Sequence, residues 1–300
     1  MKSSYPQIGL VRFCWLLGVT RQAYYQHFWH KQEVSIEQEL VLKAVHEIRS
    51  QHRSMGCRKL LGQLQPMLLE HQIKMGRDAL FDLLASHNLL VRRKRRRVYT
   101  TNSFHWLRKY PNLIQGFEPD EPNQLWVSDI TYFKIREQFS YISFITDAYS
   151  RKIVGYHIAN SLEGIETLQA LKMAISAQRP DPDTLIHHSD RGVQYCSEAY
   201  VKLLQDNKIA ISMTETGDPL DNAIAERING IIKQEYLEHC SIKSLKDARK
   251  MLDQAVKLYN EQRPHLSLGM STPDMAHYQG WLPQRLWKLP NYKNVTPIQD

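Results

Sequence analysis

Residues 92–97 are six cations in a row: Arg92, Arg93, Lys94, Arg95, Arg96 and Arg97. Such a run repels itself and cannot be packed into a core, so no single compact body folds across it. It predicts an extended linker or arm with separate folded parts on either side. Phosphates would neutralise it and release their counterions, which points to nucleic acid, with a plain solvated linker as the alternative. The charge is distributed to match. The chain is 300 residues long with a net charge of +8, yet residues 1–120 hold 19 Lys/Arg against 9 Asp/Glu while residues 121–300 hold 20 against 22. The basic part is thus distinct from the part carrying most carboxylates, and a basic part suggests a polyanionic partner.

This length suggests about two domains. No stretch approaches the roughly 18 uncharged apolar residues of a membrane span. Arg12 interrupts the one N-terminal apolar segment, residues 8–17, so a secretory signal is not expected and no membrane partner is implied. Cys14, Cys57, Cys196 and Cys240 lie far apart without a Cys-x-x-Cys pair, which speaks against a disulfide framework and for a cytoplasmic setting.

Before the basic run the pattern is helical. Ile8, Leu10, Val11, Phe13, Leu16 and Leu17 form one apolar face; Gly18 breaks it, and Thr20 can cap a second short helix through Arg21, Gln22, Tyr24 and Tyr25. A helix-turn-helix, with Arg21 and Gln22 near the start of a recognition helix, and an ordinary helical hairpin both fit. Three further helical patterns follow. They are Ile36 to Ile48, Leu60 to Leu68 (which Pro66 should bend or break) and Ala79 to Leu84 with Asn88 as a stop. A small DNA-binding module and a plain three-helix unit are both consistent with them.

From residue 124 the period changes. Strands are predicted at 124–133, 141–147 and 153–158, then a helix at 162–178 and a strand at 184–187. A helix at 197–207, a strand at 209–213 and a helix from Asp221 follow. Three successive strands followed by alternating helices and strands predict an α/β fold, a mixed sheet with helices packed on it.

Three carboxylates stand out on this frame. Asp129 sits inside the first strand, where aspartate opposes strand propensity. Asp190 ends the fourth strand ahead of a turn that Gly192 permits, a common place for chemistry in α/β sheets. Glu226 lies on a helix opposite Ile224, Ile228 and Ile231, and Lys233, seven positions on, returns to within about 20° of it. Taken singly, each has an ordinary reading as a turn or a solvated face. Together, three carboxylates at one edge of a sheet would suffice to hold hard divalent ions for phosphoryl transfer.

The blocks around them resemble a known family. W-V-S-D-I-T-Y (126–132), H-S-D-R-G-V-Q-Y (188–195) and D-N-A-I-A-E-R-I-N-G-I-I-K-Q-E (221–235) look like the signature blocks of DDE transposases from bacterial insertion sequences. The match is to the group whose catalytic domain resembles retroviral integrase. Thirty-five residues separate Asp190 from Glu226, as in that family's D-D-35-E pattern. Y-N-E-Q-R-P-H-L-S-L-G-M-S-T-P (259–273) resembles its C-terminal block, and S-R-K-I-V-G-Y (150–156) its second and third strands. Arg227 and Ile228 depart from the small residue and aromatic common there.

The resemblance implies a ribonuclease-H-like core and magnesium-dependent cleavage and transfer of DNA strands at insertion-sequence ends. Two ions are implied per site, with manganese as a substitute, held by Asp129, Asp190 and Glu226. Lys233 and Asn229 fall in the block that meets end DNA. The implied partners are element ends and target DNA, a second copy of the chain for synapsis, and an upstream-frame helix-turn-helix/coiled-coil protein. The expected location is the bacterial cytoplasm, at the nucleoid. The expected layout is a helix-turn-helix-like segment at 1–32, a helical DNA-binding module at 33–90, a basic arm at 91–118, an integrase-like core at 119–280 and a tail at 281–300. A catalytically silent DNA-binding protein and a simple nuclease of the same fold are the alternatives. Zinc at His27 and His30 is not expected without a Cys-x-x-Cys pair. The two H-x-x-R matches, His46/Arg49 and His105/Arg108, lack the other blocks of a tyrosine recombinase.

Overall fold

The structure is a computed structural model and describes residues 6–91, 106–136, 138–215 and 222–279. The basic run therefore lies outside the described residues, as does the expected tail at 281–300. The chain divides into two units: residues 1–51 with 56–91, and residues 52–55 with everything from 92 onward.

The first unit is helical. α1 (Leu10–Leu16) buries Phe13 and Cys14 and ends at Gly18, whose φ of +67° is the left-handed turn that favours glycine. Thr20 then caps α2 (Arg21–Gln51) as expected, its Oγ1 accepting from the Ala23 N–H at 3.0 Å. The expectation of a short second helix fails: α2 runs unbroken for 31 residues, straight through the predicted boundary at 32/33. Residues 26–35, between its two apolar patterns, include Phe28, Trp29 and Val34 and contain no glycine or proline, so nothing stops the helix. α3 (Cys57–Glu70) and α4 (Arg77–Ser86) complete the unit, α3 packing on both α2 and α4. Val41, Val45, Leu60, Leu64, Leu68, Leu80 and Leu84 form its buried face.

Pro66 does not break α3. Its ring removes one intrahelical bond, to the Gly62 carbonyl. Both residues are exposed, so water can take the freed oxygen. Asn88 stops α4 as expected, with a left-handed φ of +55°.

The second unit is a five-stranded mixed sheet between two helical layers, the ribonuclease-H-like arrangement expected. β1 (Leu125–Ile135), β2 (Gln138–Asp147) and β3 (Ile153–Ala159) form an antiparallel meander; β4 (Ile186–Ser189) and β5 (Ala210–Met213) add parallel to β1, giving the order β3-β2-β1-β4-β5. α5 (Gly164–Gln178) and α6 (Glu198–Asp206) cover one face through Leu168, Leu171, Tyr200 and Leu204, which pack with Trp126, Ile145 and Val154. The other face is covered by α7 (Ala223–Ile231), a π-helical turn (Ile232–Leu237) and α8 (Leu245–Gln262), which bury Ile228, Ile232 and Leu252 against Phe133, Ile142 and Phe144. A short α9 (Pro273–Tyr278) follows. α5 lies close on β3: a Cβ at Gly155 would stand 2.2 Å from the Ala170 carbonyl oxygen.

The block at 259–273 clamps this unit. Asn260 closes both backbone positions of Ile153 on the edge strand, accepting at 3.0 Å and donating at 2.9 Å, and Tyr259 donates to the Arg151 carbonyl at 2.8 Å. Arg263 grips Glu235 of the π turn with two 2.7 Å bonds, a bidentate, nearly buried ion pair.

Candidate active site

Strand alternation decides where the first carboxylate points. Leu125 and Val127 pack with Ala225, and Phe133 with the α7 side of the core, whereas Trp126 packs on the α5 side. The odd positions of β1 therefore face α7, and Asp129 is among them. There the Asn229 amide donates to its Oδ2 at 2.7 Å, and the Ile130 N–H lies 2.9 Å from its Oδ1.

Parallel pairing brings in the second carboxylate. Ser128 of β1 is in register with Ser189, the last residue of β4, so Asp190 leaves the sheet beside Asp129. Gly192 donates its N–H to Asp190 Oδ1 at 3.0 Å, which holds the carboxylate in the turn. Glu226 stands exposed in the first turn of α7.

These groups share a field. Burial, then the charge of Asp190, and more weakly that of Glu226, push the Asp129 carboxyl up to about 8, against the opposing pull of its Ile130 and Asn229 hydrogen bonds. The three are thus coupled. They do not converge to ligating distance, however: among the described residues no group of three His, Cys, Asp or Glu side chains is placed to hold a metal ion. The donor chemistry nonetheless fits a hard divalent cation, with all-oxygen donors and a carboxylate whose ionisation is opposed by two like charges. Asn229 Oδ1, buried beside Asp129, has no hydrogen-bond partner among the described residues.

Lys233 reaches back along the same face of β1. Its Nζ donates to Thr131 Oγ1 at 3.1 Å and lies 4.4 Å from the centre of the Tyr132 ring. Burial holds its ammonium below the usual lysine range, partly offset by Glu238 and Asp129.

Asn229, expected as a DNA contact, has a side chain that is 4% exposed and turned onto Asp129. Of the two departures after Glu226, Ile228 is buried in the core and Arg227 is exposed. Asp147 serves a turn, fully buried and accepting from the backbone of Asn123 and from both the N–H and hydroxyl of Ser150, each at 2.7 Å. His187 and His188 are packed, bonded to Tyr200 and Ser212 at 3.0 and 2.8 Å. Arg21 and Gln22 are exposed at the start of α2. No helix among the described residues is long and apolar enough to cross a membrane.

Sequence reasoning missed one set of residues. Ser128, 0% exposed, has its hydroxyl 3.1 Å from both the Phe144 carbonyl and the Tyr195 phenol, while its own carbonyl accepts from the Asn222 amide at 3.0 Å. Only its position beside Asp129 and the presence of Tyr195 and Asn222 in the two other blocks hinted at this.

Comparison with known proteins follows the same lines. A family model described as "Integrase core domain" matches residues 119–219, and a second of the same description matches residues 207–273. The chain is 37% identical over 264 residues to the uncharacterised 31 kDa protein of insertion element IS600 from Shigella sonnei, covering 87% of this chain and 95% of that protein. It is 34% identical over 225 residues to the transposase for insertion sequence element IS629 from Shigella sonnei, covering 75% and 74% of the two chains. In shape it is similar to the catalytic core domain of HTLV-2 integrase in complex with magnesium, at 22% identity and a TM-score of 0.43, covering 53% of this chain and 98% of that one.

Proposed function

The chain belongs to the integrase-core transposases of bacterial insertion sequences, and from that premise we propose that Asp129, Asp190 and Glu226 carry its chemistry. It is a polynucleotidyl transferase that cleaves and joins DNA strands; it binds DNA, oligomerises, and depends on divalent metal ions. The ions are magnesium, replaceable by manganese, and two act per site. When bound, they supply the charge that stabilises an in-line displacement at a phosphodiester.

The observation that carries the assignment is a juxtaposition: β1 and β4 pair in register up to Ser128 and Ser189, so Asp129 and Asp190 follow side by side, and Asn229 of α7, the helix that bears Glu226, donates to Asp129. Burial and the charges of Asp190 and Glu226 oppose ionisation of the Asp129 carboxyl, a cost in the free protein that cations would remove. Asn229 and the Ile130 N–H hold the Asp129 carboxylate in one orientation, and the Gly192 N–H does the same for Asp190. The substrates are the ends of the chain's own element, cut first by water to free a 3′-hydroxyl, and then target DNA, which that hydroxyl attacks.

Three regions meet the DNA in this reading. Lys233 contacts the end DNA beside the carboxylates, Arg21 and Gln22 read bases from the start of α2, and Arg92, Arg93, Lys94, Arg95, Arg96 and Arg97 neutralise phosphates. Synapsis of two ends uses at least a dimer, with an upstream-frame helix-turn-helix protein as a further partner.

The test uses labelled DNA from the flanks of the gene, incubated with protein and magnesium and resolved under denaturing conditions. Shortened strands together with longer joined products, both lost in Glu226→Gln, are the expected result. Undiminished products with Asp190→Asn or Glu226→Gln would overturn the assignment. Shortened strands without joined products would make the chain a simple nuclease.

A further inference from the structure

We propose that Ser128 is a positioning residue that ties the three carboxylate-bearing segments together and so sets how tightly the site holds divalent ions; this rests on the assignment of Asp129, Asp190 and Glu226. Each segment arrives at Ser128 by its own bond. Asp129 is its neighbour in β1. Tyr195, five residues after Asp190, brings its phenol to within 3.1 Å of the Ser128 hydroxyl. Asn222, four residues before Glu226, donates its amide to the Ser128 carbonyl at 3.0 Å.

The hydrogen bonds can be assigned. A serine hydroxyl has one proton and accepts through its lone pairs. The Phe144 carbonyl, 3.1 Å away, can only accept, so it takes that proton. The Tyr195 phenol then donates to Ser128 Oγ. The contacts are sealed from water, with Ser128 at 0%, Tyr195 at 1% and Asn222 at 7% exposure, so a lost partner is not replaced by solvent.

The sheet alone does not fix the site. β4 ends at Ser189, so Asp190 is held by its loop, and Glu226 is carried by α7, whose Ala225 and Ile228 pack on the sheet and whose N-terminal end follows Asn222. Tyr195 anchors that loop from below, its ring packed edge-on against Tyr200 at 5.4 Å between centroids. Asn222 anchors α7 at its first turn. Both anchors converge on the residue next to Asp129. A loosened anchor would let one carboxylate drift while leaving the core intact.

The experiment measures Mn²⁺ binding to the full chain by calorimetry without DNA, alongside melting temperature. Ser128→Ala, Tyr195→Phe and their double variant each remove only hydroxyl groups. Each single change should weaken Mn²⁺ binding by about 10- to 100-fold. The double variant should be no weaker than the worse single, because both singles break the same bond. Unchanged Mn²⁺ affinity with a lowered melting temperature, or losses that multiply in the double variant, would overturn the proposal. Should Ser128→Ala fail to fold, Tyr195→Phe and Asn222→Ala carry the test by the same Mn²⁺ criterion. Asp129→Asn separates the two levels: if it leaves Mn²⁺ binding intact, the carboxylate assignment itself fails, whatever Ser128 does.

Discussion

Asn229, one hundred residues beyond Asp129, donates its side-chain amide to Asp129 Oδ2 at 2.7 Å and buries its own oxygen in doing so. That bond favours the charged carboxylate against the burial and like charges that oppose it. Asn229→Ala should therefore slow strand cleavage by about 10- to 100-fold while leaving end-DNA affinity unchanged. Asn229→Asp should be worse than alanine, because it adds a fourth negative charge where three already repel. Cleavage rates and DNA binding measured on the same preparations check both; a loss of DNA affinity equal to the loss of rate would instead make Asn229 a DNA contact.

Gly155 tests the packing of helix on sheet. A Cβ there would meet the Ala170 carbonyl oxygen at 2.2 Å and the Ala174 Cβ at 2.9 Å. Backbone cannot step aside as a flexible side chain would, so α5 must lift from β3. Gly155→Ala should cost about 1–3 kcal/mol or more of unfolding free energy. Urea denaturation of the two proteins measures it, and equal midpoints would show that the helix yields freely.

His187 makes stability depend on pH. Burial, and secondarily His188, lower its imidazole from an ordinary 6.5 to about 3, so the folded chain keeps it neutral between Tyr195 and Tyr200. The unfolded chain takes up a proton below pH of about 6.5, whereas the folded chain does so only near 3. This contribution is complete above the unfolded value and is lost as pH falls. Between pH 7 and 5 the unchanged protein should lose about 2 kcal/mol more stability than His187→Gln. Denaturation of both at the two pH values gives that difference directly, and parallel losses would show that His187 is not the group responsible.

Much of the second unit was legible in the sequence, for physical reasons. Strand alternation marks which β1 residues share a face, and an aspartate in such a pattern betrays itself against strand propensity. Asn229 was within reach too, since it lies three positions from Glu226 and so on a neighbouring part of the helix surface. Other features had no local signal. The bonds of Ser128 to Tyr195 and Asn222 span 67 and 94 residues and exist only once the sheet has formed. The π turn at Ile232–Leu237 reads as ordinary helix. In the first unit, two separate apolar patterns read as separate helices, but it is glycine and proline that end a helix, and residues 26–35 between the patterns contain neither. Pro66 shows the limit of that rule as well, because an exposed carbonyl can be satisfied by water.

The basic run makes the last prediction. Six adjacent cations, Arg92 to Arg97, can each pair with a phosphate only by displacing a condensed counterion. Each released ion makes binding steeper in salt, by about 0.9 in the slope of log affinity against log salt for duplex DNA. Neutralising all six should therefore flatten that slope by up to about 5 and weaken binding most at low salt. Lys233→Gln should behave differently. One cation beside the carboxylates accounts for a slope change of at most about 1, yet its loss should show chiefly in the rate of end cleavage. Fluorescence titrations of end DNA across a salt series, with both variants, separate the two roles. A slope left unchanged by neutralising the run would make it a spacer that never touches the backbone, whereas a slope flattened equally on end and unrelated DNA would identify it as a sequence-blind arm that leaves end recognition to other parts of the chain.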